Sequence, residues 1–343
     1  MSAIQKALPF SNTAVKQWLA LIMPGLMLCL VVGMAGKFVS EHYGGPIILY
    51  ALLMGMSLNY LSQEGRCMAG IQFAAKSVLR FGIALLGARI TFEQLLGLGF
   101  TPIAIVMVGV PATILFGYVC GRWLKLSKSQ SILSGASVGI CGASAALAVS
   151  AVLPENKDSE RNLIFTVIGV TALSTVAMIA YPLIVTGLNL SETESGIFLG
   201  ATIHDVAQVV GAGYMMSDGV GDVATFTKLL RVAALVPVVI VISLLVSRRG
   251  GAQKEGASKL PLPGFLVAFI IIVSVNSTGY IPQPVLDGMT ELSRWCLVTA
   301  MVGLGMKASF KELSELGWKP IALLISETVF LAVLVTIWLF AAR

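Results

Sequence analysis

A chain of 343 residues with 57% hydrophobic and only 12% charged residues is not an ordinary soluble domain, because soluble domains carry about 25% charged residues. Its mean hydropathy is +0.89 and its formal net charge +6, and in so apolar a chain the basic excess reads as membrane topology rather than nucleic-acid binding. Cys29, Cys67, Cys120, Cys141 and Cys296 are scattered without CxxC spacing, which argues against a disulfide framework and against a metal site. No GxxxxGKS or GxxxxGKT pattern occurs, so an ATP-driven pump is disfavoured and no cofactor is expected.

Eleven apolar stretches approach the ~20 residues that cross hydrocarbon: roughly 18–39, 45–61, 71–90, 100–121, 129–152, 162–186, 195–215, 223–247, 263–279, 291–308 and 319–341. Their connections are short. The expectation is therefore an all-α membrane protein of about 11 transmembrane helices, with residues 1–343 forming a single domain. The first stretch contains Pro24 and runs into Lys37 without a small-residue cleavage site, so it reads as a true span rather than a signal. Asn59 and Asn276 fall late in the second and ninth spans, where amides serve as glue between helices. Arg89 ends the third span and Lys307 the tenth; snorkelling to the interface explains both, with gating the alternative.

The fifth span gathers Ser134, Gly135, Ser137, Gly139, Cys141, Gly142 and Ser144 within eleven positions. Glycine costs about 1 kcal/mol relative to alanine inside a helix, so this density predicts an unwound point around Gly139–Gly142. A second half-helix would start near Ala143 and offer free N–H groups to an anion. Close helix packing is the competing explanation. The seventh span carries Gly200-Ala201-Thr202-Ile203-His204-Asp205-Val206-Ala207-Gln208. Read as continuous helix, it puts His204 and Gln208 on one face with Asp205 about 100° away. The pair fits a proton or cation relay, or else a structural pair bonded to another span. Thr202 and Gln208 would supply neutral donors to a polar substrate. Gly135-Ala136-Ser137-Val138 parallels Gly200-Ala201-Thr202-Ile203, as two facing arms of one site would. In the eighth span Arg231 reads as interfacial, residues 248–262 read as a cytoplasmic linker, and Glu327 of the last span is suited to pairing with a basic residue.

Distributing the 23 basic residues over alternate sides gives 15 against 8 when the amino terminus is cytoplasmic, with Lys228 and Arg231 among the eight. The positive-inside bias then sets the carboxyl terminus outside. A gapless internal match adds to this. Leu86-Gly87-Ala88-Arg89 through Pro102-Ile103-Ala104 pairs with Leu304-Gly305-Met306-Lys307 through Pro320-Ile321-Ala322 at a constant offset of 218. The matched segments, about 86–105 and 304–323, lie seven spans apart, and an odd separation inverts one copy across the bilayer. That is an inverted-topology repeat, the architecture of alternating-access carriers.

The segments Ser134–Ala145, Gly200–Tyr214 and Leu85–Ile90 together resemble the YeiH family of bacterial inner-membrane proteins, whose members carry the label of sulfate exporters. The resemblance covers essentially the whole chain. It implies a fold similar to the cation/proton antiporter and anion transporter superfamily, with two discontinuous helices crossing near the midplane. Carried over, one crossing element is the region of Gly139–Gly142 and its partner is the tenth span, Met301-Val302-Gly303-Leu304-Gly305. The 218-residue offset instead pairs the tenth span with the third, and both assignments stand open at this stage.

The expected protein is a multi-pass carrier of the bacterial inner membrane, not an enzyme, moving a small sulfate- or organosulfonate-like anion with proton coupling. Ser137, Gly139, Cys141, Gly142, Ser144, Thr202 and Gln208 are the candidate substrate contacts, His204 and Asp205 the ion-coupling pair, and Arg89 and Lys307 the candidate gating residues. Its partners are the anion, protons or Na⁺, and the lipid bilayer, and its apolar exterior suits a monomer or a homodimer. A Na⁺-coupled carrier of an organic anion is the nearest alternative, and an intramembrane enzyme using Ser137 or Ser144 with His204 a remote one.

Overall fold

A computed structural model describes residues 12–44, 46–154, 158–247, 264–308 and 318–343. The expected linker at 248–262 and the polar part of the second repeat copy, 309–317, lie outside the described residues. Among those described there is helix and no strand. The order begins with α1 (Asn12–Tyr43) and α2 (Ile47–Ser57), then α3 (Met68–Phe73), a π-turn over Ala74–Val78 and α4 (Leu79–Leu85). It continues with α5 (Phe92–Gly97), α6 (Thr101–Trp123), α7 (Lys128–Gly139), α8 (Ala143–Ser150) and α9 (Ser159–Gly187). Next come α10 (Glu192–Thr202), α11 (Val206–Met216), α12 (Asp218–Ala233) and α13 (Leu235–Ser247). The last three are α14 (Gly264–Asn276), α15 (Gln283–Lys307) and α16 (Trp318–Ala341).

Six of the eleven apolar stretches become helical segments long and apolar enough to cross a membrane: Lys16–Tyr43, Met68–Arg89, Thr101–Trp123, Ser159–Gly187, Asp218–Val246 and Trp318–Ala341. The other five differ for identifiable reasons. The stretches 45–61 and 263–279 form the short helices α2 and α14, while 129–152 and 195–215 are each divided into two half-helices. The stretch 291–308 belongs to α15, whose first half carries Asp287, Glu291 and Arg294. The protein is thus an all-helical, multi-pass membrane protein.

The chain forms two compact units, one from the described residues of Met1–Gly82 and Leu292–Ala308, the other from those of Ile83–Glu291 and Ser309–Arg343. In the first unit α1 and α3 touch backbone to backbone: a Cβ on Gly25 would overlap the Cys67 carbonyl and one on Gly70 the Ile22 carbonyl. Small residues at such crossings replace the hydrophobic driving force that lipid removes. Gly305 of α15 lies in the same way on the Leu52 carbonyl of α2, and Asn59 Nδ2 donates to the Met306 and Ala308 carbonyls at 2.6 and 3.1 Å. In the second unit Gly87 lies on the Phe269 carbonyl, and Asn276 Nδ2 donates to the Ala88 and Ile90 carbonyls at 2.9 and 3.1 Å. Each unit therefore holds one copy of the same device: an amide that closes a helix end beside a glycine seated on a carbonyl.

The remainder of the second unit is built on α6, α7, α10, α11 and α12, with α9 and α16 against them. Glycine again sets the spacing. Gly135 of α7 approaches the backbone of Ile114 in α6, and Gly200 of α10 lies on the Ala224 carbonyl of α12. These close approaches bring α7 and α10 to the same side chains of α12.

Candidate functional site

The fifth span breaks at Ile140–Gly142. α7 ends at Gly139, Ile140 leaves the helix at φ −111°, ψ −85°, and Gly142 stands at φ 64°, ψ −126°, a conformation that excludes a side chain on energetic grounds. α8 then opens at Ala143. The seventh span was read from sequence as one helix with His204 and Gln208 sharing a face; it is instead divided. α10 ends at Thr202, Ile203 and Asp205 are extended, and α11 opens at Val206 with Asp205 as its N-cap. Asp205 Oδ1 accepts the Ala207 N–H at 3.4 Å, and the Asp205 N–H donates to Ser174 Oγ at 3.0 Å. The two breaks touch, for a Cβ on Gly142 would lie 3.7 Å from the His204 backbone. The tenth span is not the crossing partner that the resemblance implied, because α15 runs unbroken through Met301–Gly305.

Ending two helices at one place leaves carbonyls of both without intrahelical donors and brings together the negative ends of two macrodipoles. Two cations of α12 supply what is missing. Lys228 Nζ donates to the Ile140 and Ile203 carbonyls at 2.8 and 2.9 Å. Arg231 donates from Nη2 to Val138 at 2.6 Å, from Nε to Gly139 at 3.0 Å, and from Nη1 to Gly200 at 3.2 Å and Ile203 at 3.1 Å. Both are buried, at 0% and 2% exposure. The interfacial reading of Arg231 was therefore mistaken. The two residues sit one helical turn apart in a small-residue helix, and an ionisable pair within an apolar span is itself a pointer to a working site.

The remaining candidates divide into those at this junction and those elsewhere. Ser137 and Thr202 are buried, but each hydroxyl proton is used on the carbonyl four residues back, Leu133 and Phe198 respectively, at 2.6 Å. Cys141 is buried in the first break, whereas Ser144 is exposed at the start of α8. Gln208 is buried on α11, and its Oε1 has no hydrogen-bond partner among the described residues. His204 Nε2 lies 2.9 Å from Thr328 Oγ1, and the Thr328 hydroxyl proton goes to the Leu324 carbonyl at 2.7 Å. Nε2 is therefore assigned as the donor, and Nδ1 has no aligned partner among the described residues. A crevice lined by Val106, Gly109, Val110, Gly139, Ala201 and Arg231 reaches the junction and is too tight to admit water.

Arg89 is away from the junction and is held by more than snorkelling. It pairs with Asp218 Oδ2 at 3.1 Å and Asp222 Oδ1 at 3.4 Å, lies 5.5 Å from the Tyr214 ring centre, and Tyr214 also donates to Asp222. Lys307, its match under the offset, belongs to the last turn of α15 in the other unit. Among the described residues Glu327 does not pair with a basic side chain: Ser134 Oγ donates to its Oε2 at 2.6 Å. At the far end of α10, Ser191 and Glu194 form a capping box, and Arg343 grips Glu194 with Nε and Nη2 at 2.7 and 2.9 Å. The guanidinium holds the Glu194 carboxyl down at about 2.

Divided apolar helices around buried cations define an integral membrane protein with a polar working centre. Comparison with known proteins gives its family. The model of the family described as "Conserved hypothetical protein 698" matches residues 24–324. A UPF0324 membrane protein of Chlorobaculum tepidum is 52% identical over 91% of this chain and 87% of its own length. The UPF0324 membrane protein TauZ of Paracoccus denitrificans is 47% identical over 92% and 94%, and one from Rhizobium meliloti 47% identical over 93% and 94%. The chain belongs to the UPF0324 membrane protein family, which is the YeiH family its sequence resembles.

Proposed function

We propose that the protein is a secondary carrier that exports a small sulfate- or organosulfonate-like anion across the bacterial inner membrane by alternating access, coupled to protons. The observation that carries this reading is the junction of two broken helices whose carbonyls are neutralised by Lys228 and Arg231. Both cations are engaged by carbonyls at the ends of α7 and α10, and the starts of α8 and α11 carry the positive ends of their own dipoles. Asp205 already caps α11, whereas the N-cap of α8 is Gly142, which offers no side chain. An anion therefore fits at the start of α8, beside the exposed Ser144, more readily than at α11.

The repeated amide-and-glycine device supports an inverted repeat. Asn276 follows Asn59 by 217 residues and Phe269 follows Leu52 by the same interval, while the helix ends they meet keep the offset of 218. In this reading the divided and short helices complete about 11 spans. Burial of Lys228 and Arg231 removes two of the eight basic residues counted outside, which sharpens the bias toward a cytoplasmic amino terminus.

The test is flux of radiolabelled sulfate into proteoliposomes with and without an imposed pH gradient. Gradient-driven flux is the expected result. Flux driven by Na⁺ but not by protons would overturn the coupling, and no flux of sulfate or of a simple organosulfonate from folded protein would overturn the substrate class.

A further inference from the structure

Glu327 is the acidic side chain that is wholly buried among the described residues, at 0% exposure. Its Oε1 has no hydrogen-bond partner among them. That oxygen stands against Gly117 of α6, where a Cβ would overlap it, so the missing side chain clears the volume that the carboxyl fills, and Gly117 in turn faces Gly135 of α7. Glu327 and Thr328 are consecutive on α16, and together they touch both broken spans: Ser134 on α7 at 2.6 Å and His204 in the second break at 2.9 Å.

Among the described residues no basic side chain is hydrogen-bonded to this carboxyl. α7 presents Ser134 to it. α6 presents Gly117 and, beside the preceding residue of α16, Cys120, whose Sγ lies 3.5 Å from Ser326 Oγ. The second break presents His204 to Thr328. Lys228 and Arg231 already spend their donors on the break carbonyls. A carboxylate with one hydrogen bond and no basic partner bonded to it is costly at such a place, and the neutral acid is not.

We propose that Glu327 is the proton-binding site of the carrier, loaded in the conformation described here and emptied when α16 parts from α7. The inference rests on the carrier reading and deepens it: the coupling proton sits on α16, and Asp205 keeps its capping role. Loading is a proton transfer alone, in which an O–H bond forms on a carboxylate oxygen as an aqueous acid gives up its proton. The carboxyl touches the first arm through Ser134 and the adjacent Thr328 touches the second through His204, so a shift of α16 on proton loss acts on both together.

Two measurements on the full-length protein test this. Infrared spectra of wild type between mildly acid and alkaline pH should show the carbonyl stretch of a protonated carboxylic acid at neutral pH. Glu327→Gln should abolish that band and Asp205→Asn should keep it. Ser134→Ala, which retains the carboxyl but removes its donor, should move the band's loss to higher pH, and it decides the matter if Glu327→Gln does not fold. A band missing from wild type, or surviving in Glu327→Gln, overturns the proposal whether or not sulfate is transported, so its failure is distinct from failure of the carrier reading. In proteoliposomes, a pH gradient should accelerate sulfate uptake at least tenfold less in Glu327→Gln than in Asp205→Asn. Equal gradient stimulation in Glu327→Gln also overturns it.

Discussion

The two breaks solve one electrostatic problem with different chemistry. Each ends a helix inside the protein, and each has its last carbonyls taken up by Lys228 and Arg231. The first turns on a glycine at φ 64°, with no side chain capping the helix that follows. The second uses no left-handed residue: Ile203 and Asp205 are extended, and the Asp205 carboxyl caps α11. A break made by backbone freedom leaves its new N-terminus open to a ligand, whereas a break made by a capping side chain has already filled it.

The sharpest way to break the comparison is to remove what the two breaks share. Arg231→Ala strands the Val138, Gly139 and Gly200 carbonyls, each worth about 1–3 kcal/mol when unsatisfied, while Ile203 keeps its bond from Lys228. The loss should be the largest of any single substitution here, about 3–5 kcal/mol, read as a thermal midpoint in detergent or as failure to accumulate in the membrane. Arg231→Lys should rescue it only in part, because an ammonium cannot reproduce the planar fork. Were Arg231→Ala as stable as wild type, the shared neutralisation would carry no weight.

Gly142→Ala addresses the first break alone. The new Cβ has room, its nearest neighbours being 3.7 Å away, so the cost is backbone strain of about 1–3 kcal/mol. Substrate flux should fall with it, since α8 is re-aimed. The corresponding change in the second break is Asp205→Ala, which loses a cap worth about 0.5–2 kcal/mol. Asp205→Asn keeps a capping oxygen and should stay within a few tenths of wild type in stability and close to it in flux. A loss of flux in Asp205→Asn comparable to that in Asp205→Ala would show that the charge matters and not the cap.

How far each break could be read from the sequence follows from the same contrast. Glycine density around Gly139–Gly142 is a local signal with a local cause, and the break lies inside it. The second break has helix-compatible residues at Ile203 and His204, and what ends α10 is distant: the carbonyls released there are taken up by Lys228 and Arg231, 25 and 28 residues further on from Ile203. No periodicity argument reaches that far. The same gap misplaced Arg231, since a basic residue at the foot of an apolar run looks interfacial until its acceptors are known. Asn59 and Asn276 were legible as glue, while their carbonyl partners were not.

The smallest effect concerns the outer end of α10. Arg343→Ala should lower the thermal midpoint only slightly at neutral pH, since solvent screens an exposed pair and it contributes little. Glu194 titrates near 2 in the folded protein against an ordinary 4.5, so the pair's contribution is present above 4.5 and lost as pH falls toward 2. The gap between wild type and Arg343→Ala should narrow over that window, and a gap that widened in acid would mean that another group anchors this end.

The amide of Asn59 has a timing consequence. Its acceptors at Met306 and Ala308 lie 247 and 249 residues downstream. At about 5–20 residues per second of synthesis, α1, α2 and α3 wait on the order of 10–50 s before the helix that completes their unit leaves the ribosome. Over that interval Asn59 and the bare glycine faces of α1 and α3 depend on each other, on lipid and on the insertion machinery for partners.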